Sequence, residues 1–127
     1  MKLEDKIKKA AETTLKYLGV EGSELEIYLV SDETMHSINM EYRGKDKPTN
    51  ILSFEEPADI PRPDTKRRFL GEIYLAPKYI RTHNDDMALL VVHGVLHLLG
   101  YDHVNDKDAV VMEAKEDEVL KKAGINI

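Results

Sequence analysis

The chain of 127 residues carries a formal net charge of −6, is 42% hydrophobic and 33% charged, and contains neither cysteine nor tryptophan. That length fits one compact domain, residues 1–127, around a single hydrophobic core. The missing cysteines exclude disulfides and thiolate metal sites, the acidic balance argues against a general polyanion binder, and the most apolar stretch, 87–100, is too short for a membrane span.

Residues 3–18 place Leu3, Ile7, Ala10, Ala11, Thr14, Leu15 and Leu18 at helical spacing, and Gly19 ends the pattern. The charged start of this helix leaves no apolar signal core, so a cytoplasmic protein is expected. Leu25 to Val30 reads as a strand. Ser31 then caps a short helix with Asp32 and Glu33 in its first turn, which is expected to bury Met35, Ile38 and Tyr42 and to stop near Gly44. A polar loop from Arg43 to Thr49 leads into a second strand, Asn50 to Phe54. Residues 56–68 contain three prolines and a basic cluster and read as an extended loop. Phe69 to Ala76 is the third strand. Asn84, Asp85 and Asp86 open a helix running to about Leu99, apolar nearly all round and therefore central, with Gly100 at its left-handed cap. A last helix, 106–123, sets Ala109, Met112, Glu116, Val119, Leu120 and Ala123 on one side. The order predicts an α+β single domain: a small mixed sheet covered by helices, with the apolar helix at its centre.

Charge is unevenly placed along these elements. From Arg43 to Arg81 there are nine basic and six acidic residues, whereas both flanks are acidic. Such a middle could steer a phosphate-rich partner to one face, or could be solvated loop surface.

Five histidines occur, three of them within eleven residues. His93 and His97 lie one helical turn apart on one face, which lets two imidazoles point at one ion. Gly100 stops the helix and allows the chain to turn back, so His103 can serve as a third ligand. Three neutral imidazoles with a fourth position open form a catalytic zinc arrangement, one Zn²⁺ per chain. A single histidine on an apolar helix is commonly a hydrogen-bonded core residue, but two on one buried face both need partners. His36 and His83 lack such company and read as surface residues.

The ligand and glycine spacing resembles that of metzincin peptidases, in which a glutamate follows the first histidine. Here that position is Gly94. Peptide hydrolysis would lose its general base, whereas phosphodiester cleavage can lean on a metal and an arginine.

Taken together, His93 to His103 (HGVLHLLGYDH) and Tyr42 to Phe54 (YRGKDKPTNILSF) are similar to the two signature blocks of the YbeY endoribonucleases. Gly71-Glu72-Ile73 resembles that family's GDI strand, with Glu72 where aspartate is usual; whether that carboxylate nears a metal is open from sequence. The resemblance covers most of the chain. It implies a single-strand-specific endoribonuclease in ribosomal RNA maturation, at the 3′ end of small-subunit RNA, and in ribosome quality control. It also implies zinc on His93, His97 and His103, Arg43 in the active-site cleft, and as partners single-stranded ribosomal RNA and the ribosome or small-subunit proteins. Read from chemistry alone, Arg43 is equally a helix C-terminal or surface residue; a guanidinium can nevertheless grip two phosphate oxygens at once. Lys45, Lys47, Arg62, Lys66, Arg67 and Arg68 are candidate RNA-backbone contacts. Asp102 either supports a ligand imidazole through a hydrogen bond or caps the turn. Tyr101 reads as packing; Phe54, Phe69 and the other tyrosines are core residues or, if exposed, base-stacking ones. No residue is marked as a general base. A metallopeptidase and a non-catalytic assembly factor with a structural zinc are the alternative readings.

Overall fold

The structure is a computed structural model and describes residues 1–57, 68–102 and 104–127. Eight elements follow one another among these residues: α1 (Leu3–Tyr17), β1 (Glu24–Leu29), α2 (Asp32–Arg43), β2 (Ile51–Glu55), β3 (Phe69–Leu75), α3 (Pro77–Thr82), α4 (Met87–Leu98) and α5 (Asp106–Lys122). Side-chain acceptors cap the starts of α2, α4 and α5. Ser31 Oγ accepts from the Thr34 N–H, Asp86 from Leu89 and Asn105 from Asp108.

The strands lie in the order β1-β3-β2, with β1 parallel and β2 antiparallel to β3, so the expected small mixed sheet is present. Alternation along the strands divides the core. Ile27, Leu70, Ile73 and Leu75 face α1 and α4, meeting Ile7, Ala11, Leu15, Val91, Val95 and Leu98. Leu52 and Ala76 face the other way and meet Met35 of α2. Behind α4 lies α5, whose Met112 and Val119 pack on Val92 and Leu96. The apolar helix is therefore enclosed by sheet, α1 and α5. Each fully buried Val or Leu on it contributes about 1.5–3 kcal/mol of transfer free energy.

Helix α4 starts where its sequence signal put it, with Asp86 as N-cap and Met87 as first residue, while Asn84 takes φ 54 in the turn just after α3. The α3 turn was not expected from the sequence; Pro77 occupies its first position, where a missing N–H costs nothing. Tyr42 is 63% exposed, not buried, because its ring lies edge-on against Phe54 at the margin of the sheet.

Two glycines permit close approach. Gly71 has φ 141, and a Cβ there would stand 2.1 Å from the Phe54 carbonyl oxygen. It falls where the β1–β3 register shifts. At Gly94 a Cβ would lie 3.0 Å from the Cδ1 atoms of both Ile51 and Ile73, so this turn of α4 rests directly on the sheet.

Candidate active site

The site forms where the C-terminal ends of α2 and α4 meet β2, the edge strand among the described residues. Arg43 is the last residue of α2, and Gly44 with φ 68 turns the chain away from the helix. The guanidinium donates from Nη2 to the Ser53 carbonyl oxygen at 2.9 Å and lies 5.0 Å from the centre of the Phe54 ring. These two contacts hold its plane while the other N–H donors of the fork remain for further acceptors. The loop beyond Arg43 is tied down by Asn39, which is buried on α2. Its Nδ2 donates to the Lys47 carbonyl oxygen at 2.8 Å, and its own carbonyl accepts from the Lys45 N–H.

A cleft of about 440 Å³ is lined by Arg43, Ser53, Phe54, Glu55, His97 and Leu98. It brings the arginine and one of the two helical histidines to the same space. His93 and His97 lie side by side, with ring centroids 4.6 Å apart and planes at 75°. His93 Nδ1 is 2.8 Å from Glu116 Oε1 across the α4–α5 contact. Glu116 is 7% exposed. A carboxylate can only accept in this contact, so the hydrogen bond calls for a proton on His93 Nδ1.

Helix α4 ends as its sequence predicts. Gly100 has φ 100, its N–H donates to the His97 carbonyl, and the Tyr101 N–H reaches back to Leu96, both at 3.0 Å. This is the paired 5→2 and 6→1 pattern of a glycine-terminated helix. The chain turns sharply after His97, and Tyr101 packs beside Val92 and Leu96. Asp102 is exposed beyond the turn. His103, the expected third ligand, lies outside the described residues, as do Arg62, Lys66 and Arg67. Among the described residues no group of three potential ligands is gathered. The two helical imidazoles, close together and backed by a buried carboxylate, nevertheless have the donor chemistry that zinc takes.

Lys45, Lys47 and Arg68 are exposed, the first two on the loop that follows Arg43. Glu72 projects to the face of the sheet away from α4, where it accepts the Tyr74 hydroxyl at 2.7 Å, so its carboxylate is turned away from His93 and His97. His36 pairs on the surface with Asp46 at 2.6 Å, and His83 stacks on Tyr79. Phe54 belongs to a chain of rings crossing the outer face of the sheet, Tyr28 on Tyr74 at 5.1 Å, Tyr74 on Phe54 at 5.7 Å and Phe54 on Tyr42 at 5.5 Å. Two residues escaped the sequence reading. Asn39 gave no signal, being a polar side chain inside a short helix. Glu116 did leave one: a carboxylate on the stripe Met112, Glu116, Val119 must find a partner when that stripe is buried.

The model of the endoribonuclease YbeY family matches residues 1–124. An endoribonuclease YbeY of Persephonella marina is 38% identical over 124 residues, covering 91% of this chain and 80% of the relative. That of Acinetobacter baylyi is 46% identical over 132 residues, covering 94% and 82%. The solution structure of a Thermotoga maritima protein superposes with a TM-score of 0.63 at 26% identity, over 97% of this chain and 84% of that one. Among the described residues no helix is long and apolar enough to cross a membrane. A mixed sheet with α4 behind it, a cleft shared by Arg43 and His97, and relatives matched over most of their length lead to one assignment: the chain belongs to the YbeY family of endoribonucleases, RNA-cleaving hydrolases.

Proposed function

We propose that the protein is a zinc-dependent endoribonuclease specific for single strands, acting in ribosomal RNA processing, including 3′-end maturation of small-subunit RNA, and in ribosome quality control. The observation that carries the reading is the cleft in which Arg43 faces the end of the histidine-bearing helix. His93 and His97, with His103 as third ligand, would hold one zinc ion. When bound, zinc supplies Lewis acidity at a phosphoryl oxygen and lowers the barrier to attack by water.

The chain's own residues do the rest. Arg43 offers a planar fork to two non-bridging oxygens of the scissile phosphate, pre-oriented by the Ser53 carbonyl and the Phe54 ring. Its charge answers the negative charge that grows on those oxygens as the phosphorus becomes five-coordinate. Lys45 and Lys47, on the loop held by Asn39, would meet the RNA backbone, with Arg68, Arg62, Lys66 and Arg67 as further candidate backbone contacts. The partners are single-stranded stretches of ribosomal RNA and the ribosome or its small-subunit proteins, which fits a cytoplasmic enzyme. The ribosomal assignment rests on membership of the family; zinc and phosphate chemistry rest on the residues.

A peptidase reading has a specific obstacle. The position at which metzincin-like spacing requires glutamate is Gly94, which is buried and where an added Cβ would stand 3.0 Å from the Cδ1 atoms of Ile51 and Ile73.

The test is Arg43→Ala in zinc-loaded protein, read as cleavage of single-stranded ribosomal RNA. Loss of one donor group that acts on the transition state predicts a rate about 100- to 1,000-fold lower, with zinc content unchanged. Arg43→Lys should recover part of the loss, since it restores charge without the fork. Wild-type cleavage by Arg43→Ala would overturn the role given to the arginine.

A further inference from the structure

Glu116 lies on a helix that does not line the cleft, yet it makes the closest polar contact described to either helical histidine. Its neighbours one turn away, Met112 and Val119, are fully buried against Val92 and Leu96 of α4. That packing fixes the height and rotation of α5 against α4, and with them the place of the carboxylate. Only one of its oxygens is needed to reach His93 Nδ1, at 2.8 Å. A buried carboxylate in an otherwise apolar seam is expensive unless it answers another group, and the group it answers is an imidazole.

We propose that Glu116 is the positioning residue of the metal centre, holding His93 as the Nδ1–H tautomer so that Nε2 presents its lone pair to zinc. The inference rests on the zinc reading of His93 and His97. It differs from a purely structural tie between α4 and α5 in what it demands of the imidazole. A tie needs only the contact, whereas positioning needs one proton on one named nitrogen before any ion arrives. Hydrogen bonding of this kind also makes the imidazole a stronger donor, and its loss commonly weakens metal affinity about 10- to 100-fold.

The side chain at 116 also sets the tolerance of the site. Glutamine keeps an oxygen that can accept from Nδ1–H but loses the charge. Alanine loses both, and its seam is filled by water or by nothing. A graded series is therefore expected, wild type binding zinc most tightly, Glu116→Gln next and Glu116→Ala least.

Two measurements on the full chain test this. The first is the tautomer of His93 in metal-free protein, read from the nitrogen-15 shifts of its ring. The wild type should be protonated at Nδ1, Glu116→Gln should keep that preference, and Glu116→Ala should lose it. The second is zinc affinity by chelator competition, with His93→Ala as the control for a lost ligand. The expected result is affinity about 10- to 100-fold lower in Glu116→Ala, with thermal unfolding of the metal-free Glu116→Gln protein close to wild type. If wild type binds zinc and both variants bind it equally well with the tautomer unchanged, Glu116 has no positioning role and the zinc reading stands. If wild type binds no zinc, the zinc reading fails, and the inference with it.

Discussion

Tyr74 shows how a single hydrogen bond on the far side of the sheet bears on the cleft. Its hydroxyl donates to Glu72 and its ring supports Phe54, the ring over which Arg43 lies. The Glu72 carboxylate, helped by burial, pushes the Tyr74 hydroxyl from 10.0 up to about 12. A phenol whose folded value exceeds its unfolded one binds its proton more tightly when folded, so its contribution to stability is complete below the unfolded value. That contribution is lost as pH rises from 10.0 through about 12. Tyr74→Phe should therefore show a shallower decline of the denaturation midpoint over that interval. Some decline will remain, because Tyr28 is raised in the same direction by its hydrogen bond to Glu26. Equal slopes for variant and wild type would show that Glu72 does not hold the Tyr74 proton in the folded state.

At the scale of elements, helix α4 was the most legible segment and Gly94 its most informative position. Apolar residues all round, histidines one turn apart and a terminating glycine placed the helix at the centre, and it is there, with Val91, Val92, Val95, Leu96 and Leu98 fully buried. Sequence could say that Gly94 removes a carboxylate, but not why glycine stands there. The reason is the short distance between this turn and the sheet, a tertiary fact. Gly94→Glu would force a charged side chain between Ile51 and Ile73 and should cost several kcal/mol, a large part of the 5–15 kcal/mol typical of a domain. Circular dichroism of that variant should show a greatly lowered melting temperature and no gain of peptidase activity. A folded, peptide-cleaving Gly94→Glu protein would contradict the packing described here. The strands were legible to within a residue at each end because each is a short run rich in apolar and aromatic residues. The α3 turn was not, since six residues opened by proline carry too little periodicity to register. The exposure of Tyr42 was missed for a related reason. Helical spacing marks a face, but the face ends where the sheet beneath it ends.

Across the whole molecule, the sheet joins two groups of residues that the chain keeps far apart. Arg43 arrives from α2 on one face, His97 from α4 on the other, and they meet at the edge of β2, the strand that contacts both. Neither signature block encodes this meeting by itself; the β2–β3 pairing produces it, and that pairing depends on the absence of a side chain at Gly71. The α5 helix then backs the site from behind through Glu116. The neighbouring pair His93 and His97 was thus legible as spacing, while the carboxylate behind it became visible only once α5 lay on α4. The most direct measurement of the central claim is a zinc titration of metal-stripped protein that follows cleavage of single-stranded ribosomal RNA. Cleavage should be near zero without metal, rise to a plateau at one equivalent of zinc per chain, and stay near zero throughout the titration of His97→Ala. Full cleavage by the stripped protein, or an unchanged titration with His97→Ala, would contradict it.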